Sequence, residues 1–463
     1  MTDLIKNLQC ISPIDGSTYA ERPIASIEFA KAAIAKVRVE QKKWAALPLT
    51  DRIELVRKAV AHLGKMDPEI VPELAKTMGR PIRYGGEFNG VNERASYMAD
   101  IAEQALKPII IEDGENFGRR IEHEAYGVVM VIAPWNYPYM TAINTVAPAL
   151  IAGNGVVLKH STQTLLAGER MERAFVDAGL PEGLFINLYL DHSTSERLIQ
   201  DRSFDFINFT GSVGGGKAIE RAAAGTFCGI GLELGGKDPG YVMEDADLDA
   251  AVDTLIDGAM FNSGQSCCGI ERIYVIEALY DDFVKKAVEI VSRYKLGDPL
   301  DESTTIGPMA AVRFANEVRD QISDALAQGA TALIDPSLFP EDDGGTYLAP
   351  QVLVNVTHDM KVMREESFGP VVGIMKVKDD AEAIKLMNDS EYGLSASLWT
   401  QNSERAEKIG EQLETGTVFM NRADYLDPAL CWTGCKDTGR GGSLSIIGFQ
   451  NLTRPKSYHF KKV

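Results

Sequence analysis

Hydrophobic positions recur along this chain with two different periods. Ile53, Val56, Val60 and Leu63 return at spacings of three and four, the period of an amphipathic helix, with Thr50 placed as a cap and Gly64 as a stop. On this basis the first hundred residues read as helices. Asn116 to Glu124 is polar, charged and strand-like. Gly127 to Ile132 is then a short apolar run, the signature of a buried strand. Strand-like pieces around Val157, Phe185 and Phe206 follow, alternating with helix-like ones. A second alternating series begins near Leu234, with strands at Ile273 to Val275, Gln351 to Val356 and Val371 to Val377. Such alternation predicts parallel βαβ units and hence two α/β lobes. Glu341 to Gly345 reads as a surface turn.

At 463 residues the chain exceeds what one core can organise, so two or three domains are expected. Its 66 acidic against 47 basic side chains give a net charge of −19, which repels phosphate backbones and argues against a nucleic-acid partner. Six cysteines, at 10, 228, 267, 268, 431 and 435, are too irregular for a disulfide framework and suit the reduced thiols of a cytoplasmic protein. The opening MTDLIKNLQC has no basic segment leading into an apolar run, and Val128 to Ala133 is far short of a membrane span, so neither a secretory signal nor a membrane partner is expected. No second Cys or His pair follows Cys431 and Cys435 at ligand spacing, and no HExxH occurs, so no metal site is expected.

Several stretches carry residue types suited to chemistry. FNSGQSCC, Phe261 to Cys268, holds adjacent thiols, Cys267 and Cys268, behind small or amide-bearing neighbours, with Gly264 free to adopt turns closed to other residues. Read alone, it fits a buried structural cysteine better than a reactive one. PWNYP, Pro134 to Pro138, follows a strand end, where ligands of open α/β sheets gather, and Asn136 there can aim an amide at a developing oxyanion. Lys159 ends a strand ahead of His160, Ser161 and Thr162, within reach of ribose hydroxyls or a phosphate, or simply of solvent. FTGSVGGGK, Phe209 to Lys217, lies between a strand and a helix, where backbone N–H groups face a phosphate. Gly211, Gly216 and Lys217 satisfy most of a P-loop, but Ala218 stands where magnesium needs Ser or Thr. LELGGKDP, Leu232 to Pro239, puts Glu233 on an apolar run, where burial raises a carboxyl toward the range of a general base, or where a buried cation pairs with it. EESFGP, Glu365 to Pro370, offers Glu366 for a ribose diol and Phe368 for a flat ring.

Taken in order, PWNYP, LKHST, FTGSVGGGK, LELGGKDP, GQSCC, EESFGP and GTVFMN (Gly416 to Asn421) resemble the aldehyde dehydrogenase superfamily across nearly the whole chain. The resemblance implies an aldehyde dehydrogenase-like α/β fold, with two parallel-sheet lobes plus a small oligomerisation strand element. The cofactor-binding domain would be 1–108 and 126–233, the catalytic domain 234–441, and the oligomerisation strands 109–125 and 442–463, assembling a homodimer or homotetramer. It implies oxidation of a small-molecule aldehyde to a carboxylic acid with NAD or NADP. Cys267 would be the nucleophile, forming a thiohemiacetal and then a thioester. Asn136, with the Cys267 backbone N–H, would hold the oxyanion, and Glu233 would be the base. Lys159, counted with the catalytic set, would bind the adenosine ribose. Trp135, Ser161, Thr162, Gly211, Ser212, Gly216, Leu234, Glu366 and Phe368 would complete the cofactor site. Tyr137, Met140, Thr141, Asn144, Ser266, Cys268, Leu426 and Trp432 would wall the substrate pocket.

The chain also departs from the pattern. Thr162 stands where a ribose-binding carboxylate often sits, which leaves NADP open. The usual PFGGxKxSG reads CWTGCKDTG, Cys431 to Gly439, and the turn usually ending GKP reads MGRP, Met78 to Pro81. No arginine clamp for a substrate carboxylate is evident, Arg422 being the one candidate. Rival readings are a CoA-acylating relative, against which the water-activating Glu233 argues, and a non-catalytic descendant, which would need none of Asn136, Glu233 or Cys267. The P-loop NTPase fails at Ala218.

Overall fold

The computed structural model describes residues 6–462 and is built on two large sheets. In the first, Val128–Ala133 lies at the centre and is parallel to its neighbours, Gly155–His160 on one side and Phe206–Thr210 on the other. Phe185–Asn187 and Gly229–Glu233 extend the sheet outward in parallel register. Helices cover both faces, so Val128–Ala133 and Gly155–His160 are buried at every residue, which is why they read as unbroken apolar runs. The strand order reverses on either side of Val128–Ala133, and the crevice for a ligand opens beyond the carboxyl ends at such a point. PWNYP and Gly211-Ser212 leave the sheet there.

The second sheet runs Thr331–Ala332, Gln351–Val354, Val371–Val377, Ile270–Ile276, Asp238–Val242, Ser395–Trp399 and Thr417–Met420, parallel except at Thr331–Ala332. Gly439–Arg440 crosses back from the second lobe and pairs antiparallel with Leu232 and Glu233. A separate three-stranded sheet joins Thr453–Lys461 to Phe117–Ala125 and Ile109–Asp113. Its outer strand leaves Ile109, Ile110 and Ile111 more than half exposed, at 51%, 57% and 56%.

Three local expectations are corrected. The chain does not begin with helices alone: Asn7–Ile11 and Thr18–Pro23 form an antiparallel hairpin, whose mostly exposed, mixed-polarity strands carry little periodic signal. Thr50 is not a cap, because its helix already starts at Leu49 behind Pro48, and Gly64 is the last helical residue rather than a stop beyond it. The tail after Gly442 is a helix, Ser445–Asn451, before it becomes a strand.

Candidate active site

A cavity of about 1520 Å³ opens between the two sheets, and the residues singled out from sequence converge on it from distant segments. Cys267 lines it at the end of a tightly wound stretch. Asn262, Ser263 and Gly264 are all left-handed, with φ of 53°, 56° and 71°. Two side chains, Gln265 and Ser263, do the fastening. The Gln265 side chain accepts from Ala310 N (2.8 Å) and donates to Asn262 O (3.1 Å), while the Ser263 hydroxyl donates to Gly307 O (2.9 Å). Gly264 has no alternative, since a Cβ there would stand 2.2 Å from Gly369 O. The Cys267 N–H donates to no described residue.

Asn136 is buried beside this turn, and its amide donates to Gln265 O at 3.1 Å, leaving a second hydrogen. Arg80, from MGRP, holds the Asn136 backbone carbonyl at 2.5 Å and pairs with Glu87 at 2.9 Å, with Asn262 Oδ1 at 3.3 Å. Glu87 in turn accepts from Tyr139 N and Met140 N. The change in that turn is therefore one of the ties between the PWNYP loop and the cysteine loop. His160 is another. Burial takes its pKa down to about 4, and the neutral ring bonds Pro138 O at 3.1 Å and Thr164 Oγ1 at 3.2 Å.

Glu233 lines the cavity without an ion pair, which removes the buried-cation reading. Its contact is Thr210 Oγ1 at 3.4 Å, and burial raises its pKa above the ordinary carboxylate value. Behind it, Gly235 packs so closely on Glu366 that a Cβ would come within 2.4 Å of the carboxylate, and Gly236 would meet Cys267 O at 2.6 Å. Lys237 is buried against Glu271 (2.6 Å) and Ser367 Oγ (2.9 Å), and Glu271 also accepts from Ser367 N and Phe368 N. One buried ion pair thus clamps LELGGKDP to EESFGP. Glu366 accepts from Gly236 N at 3.0 Å, and burial pushes its pKa up to about 8. Phe368 and Phe314 both meet Trp135, edge-on at 5.5 Å and stacked at 5.0 Å.

Beyond the switch point, Lys159, Ser161, Thr162, Gly211 and Ser212 line the same cavity. Lys159 is only 7% exposed and bonds no described side chain, and burial lowers its pKa. Ser212 caps the helix Val213–Ala223 by accepting from Gly215 N, so that helix's free N–H groups face the crevice. A buried lysine without an acceptor, a helix N-terminus and an acid set against a glycine backbone match a dinucleotide's ribose, pyrophosphate and second ribose. Gly216 does not line the cavity. It lies within the helix, packed on Leu234, which itself reaches the cavity. Lys217 pairs with Asp437 at 2.9 Å rather than facing the crevice, so nothing remains of a P-loop.

At the other end, Tyr137, Met140, Thr141, Asn144, Ser266 and Cys268 line the wall, with Leu426 and Trp432 opposite. Sequence reading missed two charged residues here. Asp424 is half-buried and accepts from Ser266 Oγ (3.1 Å) and Cys268 Sγ (2.8 Å); desolvation raises its pKa, and the Cys268 thiol, beside Cys267, is pushed up as well. Arg94, on the helix Phe88–Ala105, also reaches the cavity. Arg422 does not, its guanidinium lying 3.5 Å over the Tyr425 ring. Among the described residues no cluster of His, Cys, Asp and Glu is arranged to hold a metal, and no helix is long and apolar enough to cross a membrane.

The family model of the aldehyde dehydrogenases matches residues 2–458. The NADP(+) succinate-semialdehyde dehydrogenase of Deinococcus radiodurans is 32% identical over 449 residues, 96% of this chain and 93% of that protein. The betaine aldehyde dehydrogenase of Sinorhizobium fredii is 31% identical, over 98% and 93%. Lactaldehyde dehydrogenase from Escherichia coli superposes with a TM-score of 0.94 at 29% identity, covering 99% of this chain and 96% of that one. The chain belongs to the aldehyde dehydrogenase family, as an NAD(P)-dependent enzyme that oxidises an aldehyde to a carboxylic acid.

Proposed function

We propose that Cys267 is the nucleophile, Asn136 and the Cys267 N–H the oxyanion donors, and Glu233 the base of a hydrolytic aldehyde oxidation. The observation that carries this is the convergence of the three side chains on one cavity from positions 131 residues apart in sequence at the extremes (267 − 136). The Cys267 sulfur bonds to the aldehyde carbon, and the carbonyl oxygen becomes an oxyanion between the free Cys267 N–H and the second Asn136 hydrogen. Each such donor contributes about 3 kcal/mol in comparable sites. The dinucleotide, when bound, supplies the two-electron oxidant that turns the thiohemiacetal into a thioester. Glu233 then takes a proton from water, whose oxygen displaces sulfur and releases the acid. A carboxyl without an ion pair, made more basic by burial, suits that step, and it weighs against a thiol acceptor.

Lys159 and Glu366 would each hold a ribose, Ser161, Thr162, Gly211 and Ser212 the phosphate region, and Trp135, Leu234 and Phe368 the nicotinamide end. Because Thr162 brings no charge, NADP is accepted beside NAD. The domain division at Glu233/Leu234, a cytoplasmic location, and a homodimer or homotetramer formed through the exposed Ile109–Ile111 edge belong to the same reading.

The test pairs two variants. Cys267→Ala should lose oxidation and keep cofactor binding, while Glu233→Gln should give a single burst of reduced cofactor and then stall. Near-normal steady turnover in either variant would overturn the assigned role.

A further inference from the structure

Arg94 is the feature of the cavity that the proposed reaction leaves unused. Gly90, Glu93 and Arg94 share one face of the helix Phe88–Ala105, and all three line the cavity. The Arg94 guanidinium forms no ion pair with any described residue. Its Nη1 donates to Met140 O (3.1 Å) and Asn144 Oδ1 (3.3 Å), both neutral acceptors, while Nε and Nη2 have no acceptor among the described residues. Asn144 is itself left with its Nδ2 unpartnered and buried. A guanidinium cannot shed its proton, and this half-buried one has Glu87, Glu93, Glu233 and Asp424 near it but no carboxylate of the described residues in contact, so its Nε and Nη2 are left for an anion that a ligand brings.

The acids at this end are otherwise engaged. Glu93 accepts from the Tyr425 hydroxyl at 2.6 Å, and Asp424 accepts from Ser266 and Cys268. Burial raises the pKa of Asp424 and of Asp257.

The geometry points to Arg94 as the reader of a carboxylate at the far end of the substrate, so that the preferred aldehydes are semialdehydes of small dicarboxylic acids. This rests on the cleft's being the aldehyde site proposed above. The free Nε and Nη2 form one edge of the planar fork, which fits two carboxylate oxygens in a bidentate pair. Arg422, the candidate from sequence, is withdrawn from this role by its seat on Tyr425.

The experiment uses the full chain at saturating NAD or NADP. It compares kcat/KM for succinate semialdehyde with that for butanal, the uncharged aldehyde of equal carbon count. The wild type should prefer the charged substrate, and Arg94→Met should lower the ratio of the two kcat/KM values by about 30-fold, the scale of a charge-assisted hydrogen bond. Arg94→Lys, a point charge without the fork, should recover part of the ratio. A second measurement needs no turnover: alkylation of Cys267 by iodoacetate relative to iodoacetamide should fall in Arg94→Met. A wild type that favours butanal, or a ratio moved less than about threefold by the substitution, overturns the carboxylate assignment alone. Failure to oxidise any aldehyde would instead strike the reading beneath it, and the alkylation ratio would still decide the role of Arg94.

Discussion

Replacing Gly264 by alanine tests whether the cysteine loop and the EESFGP turn form one mechanical unit. Two costs add. With φ at 71°, any Cβ places residue 264 in the left-handed region, which costs about 1–2 kcal/mol. The new methyl would also stand 2.2 Å from Gly369 O and 2.3 Å from Gly369 C, where ordinary contact begins at 3.4 Å. The two backbones must therefore part by about 1 Å, a displacement that at a reacting centre can cost on the order of 100-fold in rate. Neither side yields as a flexible side chain would. The turn is fixed by Glu271, which accepts from Ser367 N and Phe368 N, and the loop is fixed by Gln265 and Ser263. Gly329→Ala isolates the first cost. It lies just past the helix Val312–Ala327 with φ at 99°, and a Cβ there meets nothing within 4 Å. Thermal midpoints and kcat/KM at saturating cofactor are to be measured for both. Gly329→Ala should lose a little stability and keep its rate. Gly264→Ala should lose more stability and about 100-fold in kcat/KM. If the two variants match in both measurements, the close approach has no functional weight.

The pH dependence follows from Glu233. Its pKa is raised by burial and the base acts deprotonated, so the acid limb of kcat should lie above the ordinary carboxylate value of 4.5, with activity lost as pH falls through it. The Thr210 hydroxyl, donating to the Glu233 carboxylate, acts to lower that pKa, so Thr210→Val should move the limb to higher pH; a limb that stays or moves down contradicts the assignment. Lys237→Met leaves Glu271 buried beside two backbone donors but without its cation, and should destabilise the protein by about 3 kcal/mol, read by denaturant titration. An unchanged midpoint would mean that the pair is not clamping the two loops. Thr162→Glu returns a carboxylate to the rim of the cofactor crevice and should reduce kcat/KM with NADP far more than with NAD, while equal losses would place residue 162 away from the 2′-phosphate.

What could be read in the chain beforehand depended on how local the physical signal was. Val128–Ala133 announced itself because burial on both faces forces six consecutive apolar residues. Asn136, Glu233 and Cys267 stood out because each sits in a short motif whose turn needs particular neighbours. Asp424 had no such motif. It meets Cys268 across 156 residues and is held at φ 48° in an unremarked stretch. Arg94 was hidden more thoroughly, since a charged residue on an amphipathic helix ordinarily faces water. Its helix instead packs along Pro138–Ala152, which carries Met140 and Asn144, and that docking turns Arg94 toward the cavity. The sequence records the charge; only the packing shows that no carboxylate among the described residues contacts it. Substrate selection is therefore the part of this enzyme least visible one residue at a time, because an unmatched charge is a property of a pair of elements rather than of either helix.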